Sequence, residues 1–264
     1  MSAGQSSTQI VLRGVEKRFR NARGEDTVAL ARLDLNIAAG EFVCLVGPSG
    51  CGKTTLINLL AGFDHPSSGR VEIDGRQVQG PDPDHIMIFQ SYGLFPWKSA
   101  LANVLFALEA RGLRGTVALD RAHHYLQLVG LESAMSRHPH QLSGGMQQRV
   151  ALARALAVEP SVLFMDEPFA ALDAFTRLRL QDELLRLWQE RKPTVVFVTH
   201  DLDEAVYLGS RVVLMAPNPG RVQKIVDIDL PRPCDRTSQA FSAYRHQLFR
   251  EFQLVHDQTL NYMI

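Results

Sequence analysis

The sequence predicts an α/β fold, and three observations carry that prediction. Short runs of strand character recur along the chain: "EFVCLV" (41–46), "RVEI" (70–73), "HIMIFQ" (85–90), "SVLFMD" (161–166), "TVVFVT" (194–199) and "RVVLMA" (211–216). Several are continuously apolar, as strands buried on both faces of a sheet are. Helical patterns such as "DAFTRLRLQDELLRLWQERK" (173–192) lie between them. Strand alternating with helix builds a layered sheet whose ligand sits at the carboxyl ends of the strands. The third observation is the glycine-rich "GPSGCGKTT" (47–55), which joins the apolar "EFVCLVG" to the helical "LINLLAG".

The 45% hydrophobic content is that of an ordinary folded domain and allows a sizeable core. Lys and Arg together number 28, as do Asp and Glu, so no excess charge draws the whole molecule to nucleic acid or an anionic surface. Binding has to come from local sites. Cys44, Cys51 and Cys234 form neither a C-x-x-C pair nor an even set, which suits a reducing compartment and offers no metal framework. The opening "MSAGQSSTQI" lacks a basic-then-apolar leader pattern, and no apolar run approaches the roughly 18 residues of a membrane span. A role at a membrane would need a partner to hold the chain there.

From about 94 to 160 the rhythm changes: "SALANVLFALEARG" and "LDRAHHYLQLVGL" are helical, no good strand appears, and the stretch reads as a helical subdomain inserted in the α/β core. After the proline-broken "LPRPCDRTS" (230–238), Phe241, Tyr244, Leu248, Phe252 and Val255 recur every three or four residues. They mark a C-terminal amphipathic helix; packing on the domain is the plainer reading, a membrane-surface or partner helix the other.

The glycine-rich stretch satisfies Gly-x-x-x-x-Gly-Lys-Thr through Gly47, Gly52, Lys53 and Thr54. Between them Pro48, Ser49, Gly50 and Cys51 form a loop whose N–H groups curl toward phosphate oxygens, and the helix entered at Thr54 and Thr55 presents its positive end. Lys53 would reach the β and γ phosphates, and the Thr54 hydroxyl would bind Mg²⁺. Cys51 reads as a small buried filler rather than a nucleophile. In "SVLFMDEP" a buried strand ends at Asp166, placed for Mg²⁺, and Glu167 follows, placed to polarise an attacking water. "VVFVTHD" ends a strand at His200, which is structural or reaches the γ-phosphate or the water.

In "HQLSGGMQQRVALARAL" (140–156) Ser143, Gly144 and Gly145 open a long helix, giving a second anion-binding helix terminus in one chain. One triphosphate rarely needs two. A head-to-tail dimer uses both, each nucleotide lying between the phosphate loop of one subunit and the Ser-Gly-Gly of the other.

With these motifs in place the sequence resembles the ATP-binding cassette family over about residues 10 to 236, and "LSGGMQQR" is that family's signature. The resemblance implies a P-loop nucleoside triphosphatase core with a mixed sheet and an inserted helical subdomain. It gives an ATPase domain over 8–236 and a tail over 237–264. By the same resemblance Phe19 stacks on adenine where Tyr is usual, and Gln90 binds Mg²⁺ and the attacking water. Ser143 to Gly145 and Gln147 meet the partner's nucleotide, Asp173 crosses the dimer interface, and His200 is the switch histidine. The cofactors implied are ATP and Mg²⁺, with Thr54, Gln90 and Asp166 as metal ligands.

"QSYGLFPWKSALANVLFALEARG" (90–112) narrows the resemblance to importers of nitrate, aliphatic sulfonates, taurine and related small solutes, as does "DLPRPCDRTS", with Cys234 where Arg is commoner. The implied assembly is a homodimer at the cytoplasmic face of the membrane, under two transmembrane permease subunits. They would contact it near Leu94–Trp97, with a solute-binding protein outside and no nucleic acid. Trp97 taken alone also reads as part of a buried turn. The chain after the last strand is too short for the regulatory barrel of sugar-importing cassettes. The alternative is a freestanding cassette ATPase acting on DNA or the ribosome; those carry a long coiled-coil insertion or two cassettes, and neither feature is in this sequence.

Overall fold

The computed structural model describes residues 8–20, 24 and 26–261, and the chain forms two compact units. The first is built from the chain up to Asp82 and again from Thr194 onward; the second is Pro83–Pro193.

The first unit opens with two long strands, β1 (Thr8–Arg20) and β2 (Asp26–Ala38), which pair antiparallel. After them come β3 (Phe42–Val46), α1 (Lys53–Leu60), β4 (Ser68–Ile73) and β5 (Arg76–Gln77). One antiparallel sheet has the order β2-β1-β4-β5. Its register sets Ile10 opposite Ile37 and Ile73, and Leu12 opposite Leu35 and Val71, and all of these are buried. A period-2 alternation with one apolar face builds such a half-buried sheet. Sequence reading found β4 but neither β1 nor β2.

The unit resumes with β8 (Thr194–Thr199), α6 (Leu202–Leu208), β9 (Arg211–Ala216), β10 (Arg221–Asp227) and α7 (Gln239–Asn261). Here the order β10-β9-β3-β8 is mixed: β3 runs parallel to β8 and β9, while β10 is antiparallel to β9. Every residue of β3 and β8 is buried, as their apolar runs require. Helix α7 packs on α6 and β9 with Phe241 and Leu248 inward, and Lys224 pairs with Glu251 beside them. Val255, the last member of its stripe, lies outside the residues whose side chains are described.

In the second unit β6 (His85–Ile88) and β7 (Val162–Asp166) pair in parallel. Between them run α2 (Ala100–Ala110), α3 (Gly115–Leu128), two short 3₁₀ turns and α4 (Gly144–Ala157); α5 (Ala174–Arg191) follows β7. Helices α2, α3 and α4 pack on one another around Val104, Leu108, Ala122, Leu126, Val150 and Ala153, all fully buried.

Candidate active site

The residues singled out by sequence fall into two groups, one in each unit. In the first unit, β3 delivers the chain at Val46 to the loop 47–52, and α1 starts at Lys53 with Gly52 as its N-cap at φ 91°. Two glycines make this geometry possible. A Cβ at Gly47 would stand 2.5 Å from Cys51 Sγ and 2.6 Å from the Met215 carbonyl oxygen, and one at Gly52 2.5 Å from Leu30 Cδ2, so no larger residue fits at either. The Lys53 ammonium donates to the Gly47 carbonyl at 2.7 Å and the Pro48 carbonyl at 3.1 Å. Ser49, Gly50 and Thr54 are exposed, Pro48 and Thr55 half-buried. Cys51 is fully buried, and burial pushes its thiol up despite the Lys53 ammonium nearby. Phe19, near the end of β1, is 45% exposed, with Lys17 Nζ 4.8 Å from its ring centroid.

His200, exposed, follows β8 and is bracketed by a hydrogen-bond relay that the sequence reading missed. The Thr199 hydroxyl donates to Glu204 Oε2 at 2.6 Å and accepts from the Asp201 N–H at 3.0 Å, and both Thr199 and Glu204 are buried. Asp201 caps α6 by accepting from the N–H groups of Asp203 and Glu204. The peptide on each side of the imidazole is thereby fixed.

In the second unit β7 ends on Asp166, 5% exposed, and Glu167 follows at φ 48°. The chain then turns, with the Ala170 N–H donating to the Glu167 carbonyl at 3.2 Å, and Asp173 caps α5 by accepting from the Thr176 N–H at 3.0 Å. That bond holds the exposed Asp173 carboxyl below the usual carboxylate range. Ser143 caps α4 in the same way, its Oγ accepting from the Met146 N–H at 3.3 Å, which leaves the hydroxyl proton free to point outward. Gln147 Nε2 donates to the carbonyls of Pro139 and Leu142 at 3.0 and 3.2 Å, which ties the approach to the turn rather than presenting the amide. Its neighbour Gln148, which sequence reading passed over, is buried against the loop of Glu167.

Gln90 is exposed just after β6, and the next turn is held from α4: Arg154 donates to the carbonyls of Tyr92 and Gly93 at 3.2 and 2.8 Å, and burial lowers its pKa. Beyond it Phe95 lies tilted against Trp97 and meets Phe106 edge-on. Asn103, fully buried, folds the turn by bonding Phe95 at both N–H and carbonyl and the carbonyls of Lys98 and Ser99. Trp97 is left 71% exposed, which excludes the buried-turn reading of that residue.

A glycine-walled loop between a buried strand and a helix N-terminus, with a lysine at its base, defines a nucleoside triphosphatase of the α/β class. Residues 30–170 match the ABC transporter family. The chain is 51% identical over 225 residues to an ABC transporter ATP-binding protein of Methanocaldococcus jannaschii, spanning 85% of this chain and 84% of that one. It is 48% identical over 225 residues to the nitrate import ATP-binding protein of Synechococcus elongatus, spanning 84% and 82%. It superposes with a TM-score of 0.76, at 35% identity over 83% of this chain and 98% of the other, on a dimeric ATP-binding cassette in a post-hydrolysis state bound to ADP and Pi. The chain belongs to the ABC transporter family and is its ATP-binding cassette, an ATPase.

Among the described residues no group of three or more His, Cys, Asp and Glu could hold a metal. The ligands expected from sequence, Thr54, Gln90 and Asp166, include one carboxylate, and the donor chemistry suits Mg²⁺, an ion that takes one or two carboxylates and fills its shell with water and substrate phosphate.

Proposed function

We propose that the chain powers a membrane importer of a small solute such as nitrate, a sulfonate or taurine, as a homodimer that closes on ATP beneath two transmembrane permease subunits. The observation that carries this is the turn Ser143–Gly145 heading the 14-residue helix α4 in the same chain as the phosphate loop. Two anion-binding helix ends in one chain suit a nucleotide shared between two copies, and the dimeric assembly of the superposed cassette supports that arrangement. The exposed rings of Trp97 and Phe106, packed against the half-buried Phe95, support the permease contact near Leu94–Trp97. A solute-binding protein outside the membrane and a peripheral place at its cytoplasmic face complete the reading.

Each residue then has one task. The N–H groups of 49–55 surround the β and γ phosphates, and Lys53 gives up the Gly47 and Pro48 carbonyls for them. Phe19 offers adenine a ring face. Thr54, Asp166 and Gln90 would hold Mg²⁺, which when bound supplies positive charge to the phosphate oxygens. Glu167 polarises the attacking water and His200 orients it against the γ-phosphate. The Ser143 hydroxyl donates to the γ-phosphate of the other copy's nucleotide, Gly144 and Gly145 line that contact with Gln147 bracing the turn behind them, and Asp173 reaches across the interface. Hydrolysis removes the shared phosphate and reopens the dimer.

Glu167→Gln tests the core of this reading. It should bind ATP and release phosphate at least about a hundredfold more slowly, the loss expected for a general base. Near-normal release at saturating Mg²⁺-ATP refutes the role of Glu167.

A further inference from the structure

The signature turn and the loop of Glu167 are joined by a side chain to which neither ligand binding nor hydrolysis has given a task. Gln148, one turn into α4, is 2% exposed and uses both ends of its amide: Nε2 donates to the Glu167 carbonyl at 3.2 Å, and Oε1 accepts from the Ala171 N–H at 3.1 Å. It brackets a turn that is closed from within by the Ala170 N–H on the same Glu167 carbonyl. Gly145, three residues earlier and on the same face of the helix, also touches this loop. A Cβ there would stand 3.1 Å from the Ala171 carbonyl oxygen. The signature turn therefore cannot shift along α4 without pulling on the backbone of Glu167.

Two features mark the link as more than core filling. A buried amide is costly unless both ends are bonded, whereas an apolar side chain would fill the same space without that demand. Glu167 itself sits at φ 48°, a conformation that non-glycine residues keep only where their surroundings hold them, and the bond from Gln148 is made to that residue's own carbonyl.

We propose that Gln148 is a positioning residue. It ties the backbone of Glu167 to the signature turn, so that contact of Ser143–Gly145 with one nucleotide sets the placement of the base acting on the other. The inference rests on the proposed head-to-tail dimer, in which the signature turn and Glu167 of one chain serve different nucleotides. A stiff link inside the chain makes the two hydrolysis events interdependent. No bond to Gln148 is made or broken in the reaction; its contribution is geometric.

The test is steady-state phosphate release against ATP concentration for the full chain, wild type beside Gln148→Met, Gln148→Glu and Glu167→Gln, each first checked for folding by thermal melt. Gln148→Met keeps length and volume but removes both bonds. It should lower kcat about tenfold or more, as displacement of a catalytic group does. KM for ATP should stay within about twofold, since the phosphate loop is untouched. The Hill coefficient should fall to one from a wild-type value above one. Gln148→Glu keeps the acceptor for Ala171 but loses the donor to Glu167, and should move kcat and the Hill coefficient in the same direction. A wild-type Hill coefficient of one, or a folded Gln148→Met with unchanged kcat and Hill coefficient, overturns the link. Failure of both Gln148 variants to fold assigns the residue to the core alone and overturns it too. Glu167→Gln separates the underlying reading: normal turnover there removes Glu167 from the chemistry, whereas a slow Glu167→Gln beside an unaffected Gln148→Met defeats only the link.

Discussion

At Cys51 the packing that shapes the phosphate loop also decides the chemistry of a thiol. Its Sγ lies 2.5 Å from where a Cβ on Gly47 would fall, away from water, and desolvation raises its pKa, as it does for Cys44 in β3. A raised pKa leaves less thiolate at any pH below it, so reactivity falls rather than rises near neutrality. We expect iodoacetamide at pH 8 to leave the native protein unmodified at Cys44, Cys51 and Cys234, all buried, while it consumes a free peptide thiol. All three should react in guanidinium, and intact mass reads both states. Native labelling at Cys51 would mean a loop open to solvent. The same scale shows where sequence reading runs out. Gln147 and Gln148 are adjacent and chemically identical, and only the phase of α4 separates them. That phase is hard to read because Val150, Ala151, Leu152, Ala153 and Ala155 are all buried, leaving no polar stripe to mark the inward face. Motif spacing singles out Ser143, Asp166 and Lys53, and the structure places them where their neighbours turn the chain: Ser143 caps α4, Asp166 ends β7 and Lys53 starts α1.

Among the elements, the strands buried on both faces were legible, and of the half-buried antiparallel sheet the long strands β1 and β2 were not. The run "FVCLV" of β3 announces itself, whereas β1 and β2 mix charges with apolar residues and their pairing shifts register near Val15 and Lys17. They pair with each other, and β1 is completed on its other edge by β4, farther along the chain than a local window reaches. A second element that only the structure discloses is the strap after β10. Arg232 donates to the carbonyls of Val206, Tyr207 and Gly209, the open end of α6, and Arg236 lies 3.4 Å from the Tyr207 ring centroid. Helix ends leave carbonyls unpaired, and a cation there satisfies both their bonding and the helix dipole. Arg232 is partly exposed, so the discounted loss on Arg232→Met is about 2 kcal/mol. That corresponds to a fall in Tm of roughly 4–8 °C for a chain of this size. A thermal melt within a degree of wild type would mean that the strap does not secure α6.

For the whole molecule, equal numbers of acidic and basic residues give no general attraction to a charged surface, and no described helix is long and apolar enough to cross a membrane. In the proposed assembly attachment would fall to the patch around Trp97, with Lys98 Nζ set 5.3 Å from the Phe106 centroid at its edge. A tagged chain recovered from gently solubilised membranes should bring an integral membrane permease with it, and Trp97→Ala should reduce that recovery. Ribosomal or DNA-repair proteins in its place, with no membrane partner, would leave the ATPase chemistry standing and refute the transport role proposed for it. The burial of every native thiol carries one more consequence. A cysteine installed by Phe175→Cys, at a side chain 88% exposed two residues past Asp173, would be the molecule's one addressable anchor for a spin label or fluorophore. Distances between labels on two copies would then show in real time whether the proposed dimer opens and closes, against a background in which no native residue had first to be removed.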